Sequence, residues 1–266
     1  MDNNMTKLDL TKYEKYLDSI VYCDIGAFPD LVIPFSSRTC SDQKNNVFLK
    51  KYIGIDPYFD EDEIDGKFVF YKCAISDIDD QKTFYVVSPQ CSSALFRVDE
   101  IERAKIAGKS AASNVSEMKV KCKKLSSMID ENNWNIDILK IDAHGSEYVI
   151  LQDIKEYMKD IAAIHIEAWT AQWYEDAVLF DKSHEFLDKC SFTPVCLMEP
   201  FQGISLDILY INENYKNVEK LNFIKTLYGV SEQTVMETHK EIKEQLNYIK
   251  EGNFCYQEWF ERNRSK

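Results

Sequence analysis

Short apolar runs alternate with polar, helix-prone stretches along this chain, and the runs repeatedly stop at an acid or a glycine. A brief continuous apolar run bounded by turn formers reads as a strand buried on both faces, the pattern of a parallel sheet covered by helices. Strands are therefore expected at residues 21–25, 52–55, 68–74, 136–141 and 161–167, with an added arm at 83–87 and a short edge strand at 120–122. Helices are expected at 98–107, 125–131, 147–158 and 175–189; in the third, Tyr148, Leu151, Ile154 and Met158 share one face. Residues 193–198 and 206–211 read as a closing antiparallel pair joined across Pro200 and Gly203. From Glu213 the chain becomes charged and helix-prone, and 235–249 carries apolar residues at helical spacing. The expected architecture is α/β and Rossmann-like: a mostly parallel sheet with an antiparallel C-terminal strand pair in residues 1–212. A helical appendage over 213–266 then packs on that domain or on a second subunit, making a homodimer through the C-terminal helices an available arrangement.

Composition narrows the function classes. The 266 residues are 45% apolar and 13% aromatic, enough for a globular core. A net charge of −13 speaks against a broad nucleic-acid surface, which needs clustered cations. The densest basic patch, Lys119, Lys121, Lys123 and Lys124, reads as a solvated strand edge. The eight cysteines form no CxxC pair, the opening residues are polar and charged, and no apolar run approaches the roughly 20 residues of a membrane helix. A cytoplasmic protein with reduced thiols, no membrane span and no nucleic-acid partner is the expectation.

Four clusters carry candidate chemistry. Asp24-Ile25-Gly26-Ala27 ends the first strand, where a glycine lets backbone approach a ligand and a following helix would aim its N-terminus at an anionic group. Asp56-Pro57 ends the second strand, where an acid accepts hydrogen bonds from ribose hydroxyls. It lies 32 residues after Asp24 rather than the usual ~20, the polar stretch 36–46 holding the surplus. Ala74-Ile75-Ser76-Asp77 offers apolar side chains for an adenine ring and polar groups for its amino group. The most specific cluster is Leu139-Lys140-Ile141-Asp142-Ala143-His144-Gly145-Ser146-Glu147, a buried strand delivering an acid, a histidine and a glycine to the ligand-binding edge. Asp142 is placed to orient an ammonium group or act as a base, and an imidazole at His144 suits general-base work near neutral pH.

In this order and spacing the clusters resemble the FkbM family of S-adenosylmethionine-dependent methyltransferases. That family's pattern runs Asp-x-Gly-Ala, Gly-x-Asp-Pro, Ala-x-Ser-Asp and the hallmark Leu-Lys-x-Asp-x-Glu-Gly-x-Glu. Cys91-Ser92-Ser93-Ala94-Leu95 and Ile164-His165-Ile166-Glu167 resemble two further segments, and the likeness covers roughly residues 20–212. The resemblance implies a class I methyltransferase fold and O-methylation of a carbohydrate or natural-product hydroxyl. The implied cofactor-binding set is Asp24, Gly26, Ala27, Phe28, Asp56, Pro57, Ser76, Asp77 and Asp142, with His144, Asp142 and Glu167 as catalytic candidates. Two departures stand out: Asp30 occupies the position of a second loop glycine, next to the stiff Pro29, and His144 replaces a glutamate.

Glu167 and His165 lie two apart on a strand and so share a face. Asp142, His144 and Glu167 are expected to converge, forming a polar wall without metal in preference to a divalent-cation site. Trp169, Trp173 and Tyr174 read either as an aromatic rim for a ring-bearing acceptor or as ordinary packing. Two other functions fit less of the pattern. A non-catalytic Rossmann-like binding protein with a degraded cofactor loop draws on Asp30; a nicotinamide-dependent oxidoreductase lacks its G-x-G-x-x-G signature after the first strand.

Overall fold

The computed structural model describes residues 10–27, 47–58, 62–63, 66–88, 94–101, 113–198 and 205–251. The strands among them are β1 (Ile20–Ile25), β2 (Leu49–Ile55), β3 (Asp62–Glu63), β4 (Phe68–Tyr71), β5 (Ala74–Ile75), β6 (Gln81–Ser88), β7 (Ser113–Lys123), β8 (Ile138–Ile141), β9 (Ala163–Trp169), β10 (Phe192–Leu197) and β11 (Ser205–Asn212). The α-helices are α1 (Leu125–Asn132), α2 (Glu147–Asp153), α3 (Phe180–Lys189), α4 (Val218–Leu227) and α5 (Glu232–Glu251). Eight strands form one sheet in the order β10-β11-β9-β8-β1-β2-β4-β3. The run from β9 to β4 is parallel, and β11 enters antiparallel to both β9 and β10. The expected mostly parallel sheet with a closing antiparallel pair is thus present.

Both faces of the sheet are apolar, which is why its strands read as unbroken hydrophobic runs. One face carries Cys23, Ile25, Ile53, Ile55, Leu139, Ile141, Ile164 and Ile166 against α1, α2 and α3. The other carries Ile20, Tyr22, Tyr52, Ile138, Leu209 and Ile211, covered by Tyr16 and by Phe223, Ile224, Leu227 and Tyr228. Phe223 stacks on Tyr16 at 4.3 Å between centroids and meets Phe48 edge-on at 4.9 Å. Hence α4, which opens the segment expected as an appendage, packs on the domain and completes its second core. Helix α5 rests on β10, where Leu197 N–H donates to Thr238 Oγ1 at 3.0 Å and Ile242 enters the first core.

Several elements differ from expectation for identifiable reasons. The run 68–74 divides: β4 stays in the main sheet, while β5 joins a second sheet of order β5-β7-β6. The expected three-residue edge strand is the eleven-residue β7. Its polar half, with Glu117 and Lys119 exposed, is held by antiparallel pairing with β6 and not by burial of its own side chains. The helix expected over 147–158 leaves α geometry at Ile154 (φ −94, ψ 15) and continues as a 3-10 turn, Lys155–Asp160. Leu151, Ile154 and Met158 still share the core, so the apolar face survives the change of helix type. The helix expected from 175 begins at Phe180, after a turn with Asp176 at φ 60. Of the helix expected over 98–107, only 98–101 fall among the described residues, and Val98 there bridges Tyr174. No helix among the described residues is long and apolar enough to cross a membrane.

Asp137 fastens the C-terminal segment to the sheet. Its carboxylate accepts from Val21 N–H at 2.9 Å and Tyr215 OH at 2.9 Å, and pairs with the Lys220 ammonium, whose Nζ also donates to the Ser19 carbonyl at 2.8 Å. Asp137→Ala strands that largely buried ammonium, so a loss of about 3 kcal/mol in unfolding free energy is expected from urea denaturation.

Candidate functional site

Parallel pairing lines up the carboxyl ends of the strands. Asp24 of β1 stands in register with Gly54 and Lys140, and Lys140 with His165. Two residues on, Gly26, Asp56 and Asp142 leave their strands along the same edge of the sheet. The turn at Gly26 has φ +77, and a Cβ built there would lie 1.8 Å from the carbonyl oxygen of Asp142. Glycine is therefore required by the close approach of the β1 and β8 turns, whatever ligand the loop meets.

Lys140 is the electrostatic hub. Its Nζ lies 3.2 Å from Asp24 Oδ1 and 3.3 Å from Asp142 Oδ2, while the Tyr52 hydroxyl donates to Asp24 Oδ2 at 2.7 Å. Burial disfavours the charged lysine, but the two carboxylates outweigh it and raise its pKa. For Asp142, burial pushes upward, and the charges of Lys140 and His144 overcome it and hold the carboxyl low, at about 2. Asp24, expected to bind cofactor, spends both carboxylate oxygens on Tyr52 and Lys140.

Glu147 shapes the loop after β8. Its carboxylate accepts from Ala143 N–H at 3.0 Å and from Gly145 N–H at 2.9 and 3.1 Å. Held this way, His144 sits at φ +48, a left-handed conformation rare for a non-glycine residue, followed by Gly145 at +103. The imidazole stacks on Tyr174 at 5.8 Å between centroids and meets Trp169 edge-on. Its Nε2 comes to 3.3 Å from Asp142 Oδ1 and 3.7 Å from Glu167 Oε2. The convergence expected of Asp142, His144 and Glu167 is present: each offers one ligand atom, and the three atoms lie within 4.8 Å of one another, a spacing that could hold a metal. Glu167 Oε1 accepts from Ser205 OH at 3.1 Å. Burial and then the Asp142 charge push the Glu167 carboxyl well up, so two neighbouring acids are driven to opposite protonation tendencies.

The other expected residues are placed differently. Asp56, half-buried, accepts from Tyr58 N–H at 2.7 Å, and burial lifts its pKa to about 6. Pro57 follows it in the same turn. Ser76 and Asp77 follow β5 of the second sheet, where Ser76 OH donates to Asp77 Oδ1 at 2.9 Å and Asp77 pairs with Lys82. Ala27 is buried against the second core. Phe28, Pro29 and Asp30 lie outside the described residues. His165 does not join the trio; it faces Asp207 at 3.3 Å. Trp169, Trp173 and Tyr174 are almost fully buried and pack with Val87, Ala94 and Val98, so these side chains make a small core and not an open rim.

Lys140 and Ser205 received no role from the sequence. A signal for Lys140 existed, since a lone charge in the buried run Ile138–Ile141 demands a partner. Ser205 had none, because its meeting with Glu167 depends on β11 entering the sheet beside β9.

A family profile described as methyltransferase FkbM domain matches residues 20–194. A crystal structure of methyltransferase FkbM from Methylobacillus flagellatus KT is 12% identical, with 78% of this chain and 47% of that chain covered and a TM-score of 0.39. The present chain thus spans less than half of that protein's length. No curated protein matches the sequence.

Two predictions follow from the charge arrangement. Lys140→Met leaves Asp24 and Asp142 without their shared cation and should lower unfolding free energy by about 3–5 kcal/mol in denaturant titration. Burial lifts the Glu147 carboxyl from 4.5 to about 8, so the folded protein holds a proton that the unfolded chain releases at about pH 4.5. Stability should accordingly fall as pH rises through that window, and Glu147→Gln should flatten the fall between pH 6 and 8 in melts recorded against pH.

Proposed function

The chain belongs to the FkbM methyltransferase family, and on that premise we propose that it moves the methyl group of S-adenosylmethionine onto a hydroxyl oxygen of a small-molecule or glycan acceptor. The observation that carries this reading is the single sheet edge where the Gly26 turn, Asp56 and Asp142 meet a partly buried imidazole–carboxylate cluster. In nucleotide-binding α/β folds this edge takes the ligand, and an acid after the second strand holds the ribose.

The residues present fit such a donor. Asp56 has one oxygen fixed by Tyr58 N–H and is raised by burial, so two ribose hydroxyls would stabilise its charged form. Asp142, held ionised by Lys140, is suited to face the donor's ammonium or sulfonium charge. Ser76 and Asp77 remain the proposed adenine contacts. The bound donor supplies an electrophilic methyl on a positively charged sulfur. Transfer would join that carbon to the acceptor oxygen as the carbon–sulfur bond breaks, with S-adenosylhomocysteine as the leaving group. His144 takes the acceptor proton, with Asp142 Oδ1 and Glu167 Oε2 beside it to stabilise the imidazolium. Alignment of oxygen, methyl and sulfur provides most of the acceleration.

Calorimetric titration with S-adenosylmethionine and S-adenosylhomocysteine tests the donor. Micromolar binding is expected, weakening as pH falls through about 6 while Asp56 gains its proton, and Asp56→Ala should weaken it at least about tenfold. Folded protein that binds neither compound would favour a non-catalytic binding role. Once an acceptor is found by screening hydroxylated compounds, His144→Ala should cut turnover by about a hundredfold or more with donor affinity kept; wild-type turnover would exclude His144 as the base.

A further inference from the structure

Of the acids at the ligand edge, Asp24 and Asp142 share the Lys140 ammonium, and Glu167 lies beyond it. Lys140 is divided between Asp24 and Asp142 and touches the Oδ2 side of the latter. The opposite oxygen, Asp142 Oδ1, and Glu167 Oε2 are buried and bonded to no nitrogen or hydroxyl donor among the described residues, so a proton shared between the two acids or a cation must relieve them. Buried carboxylate oxygens are costly unless a donor or a cation meets them. Both lie beside His144 Nε2, at 3.3 and 3.7 Å.

We propose that Asp142 Oδ1, His144 Nε2 and Glu167 Oε2 form a binding site for a first-row divalent cation of the manganese type. Bonds of about 2.1 Å at right angles separate two ligand atoms by about 3 Å, and opposed bonds by about 4 Å. The observed separations, all within 4.8 Å, close on one centre with small side-chain adjustments. One imidazole with two carboxylates is a donor set for Mn, Fe or Zn and not for Mg or Ca, which favour all-oxygen shells. The surroundings are those of a held ligand set. Ser205 OH fixes Glu167 Oε1 and leaves Oε2 for the cluster; Lys140 does the same for Asp142 through Oδ2. Tyr174 stacks on the imidazole, and Glu147 holds its backbone at positive φ. Outer groups that orient ligands in this manner accompany metal sites generally, and left-handed backbone at a non-glycine residue persists where the surroundings enforce it. The sequence favours a polar wall without metal at this place; the spacing of three atoms, two from the loop after β8 and one from β9, is what alters that reading.

With three protein ligands, coordination positions remain for outside oxygen donors, and hydroxyl groups of an acceptor have the right chemistry to fill them. The site itself does not rest on the methyl-donor reading, since it needs only the three side chains; with the cation bound, His144 Nε2 is a ligand and not the base, and the cation would itself lower the pKa of a coordinated hydroxyl.

The test uses the full chain after chelator treatment and desalting, titrated with Mn2+ alone. Electron paramagnetic resonance of free Mn2+ should show one equivalent bound, and pulsed spectra of the bound ion should show coupling to one imidazole nitrogen. His144→Ala and Glu167→Gln, each checked for folding by circular dichroism, should weaken binding at least about tenfold, the first abolishing the nitrogen coupling. The exposed control Glu131→Gln should bind as the wild type. Absence of saturable Mn2+ binding to the wild type, bound Mn2+ lacking nitrogen coupling, or unchanged affinity in both variants would overturn the proposal. The pulsed spectrum needs only wild-type protein, so misfolded variants leave the test intact. Calorimetry with S-adenosylmethionine on the same sample reports separately on the donor, and either result can fail without the other.

Discussion

A lysine ammonium buried between two carboxylates sets the terms for the functional edge of this protein. Lys140 would be strongly disfavoured inside the sheet if it stood alone, as would Asp24 and Asp142. Together they form a charge cluster spanning β1 and β8, with the Tyr52 hydroxyl from β2 completing Asp24. Removing one member leaves the others uncompensated, so the cluster locks strand register as well as charge. That register brings the Gly26 turn against the backbone of Asp142, and the loop carrying His144 begins there. The chemistry proposed for the edge thus depends on a lysine that does none of it.

The sheet needs cover on both faces, and its two sources are unequal in kind. One face takes α1, α2 and α3, each lying between strands in the chain, as in any alternating α/β unit. The other borrows α4 from beyond the last strand, with Phe223 lodged between Tyr16 and Phe48. Asp137 binds this borrowed cover to the strand ends by hydrogen bonds and an ion pair. The C-terminal helices are accordingly as much part of the core as the strands, although their charged sequence reads as an addition.

Around His144 the structure separates groups that look alike in the sequence. His165 and His144 both stand near Glu167, yet one faces Asp207 and the other completes the trio with Asp142. The aromatic residues from the end of β9 onward read either as a rim for a ring-bearing acceptor or as ordinary packing; in place they are buried, and Tyr174 serves as the plate on which the imidazole stacks.

Sequence alone determined the sheet, its mostly parallel order and the acids at its carboxyl edge, because burial on two faces writes continuous apolar runs and strand ends punctuate them with Asp and Gly. It also marked Asp142, His144 and Glu167 as neighbours, since adjacent parallel strands end together. Local pattern could not determine where a long-range pairing overrides propensity. The length of β7 comes from its ladder with β6, the split of β4 from β5 from membership of two sheets, and the end of α2 from the turn at Ile154. Nor could it show that Lys140 is shared, that Ser205 holds Glu167, or that His144 sits at positive φ. Those facts depend on which strands lie side by side and on how a five-residue loop closes, and both are decided only when the whole sheet has formed.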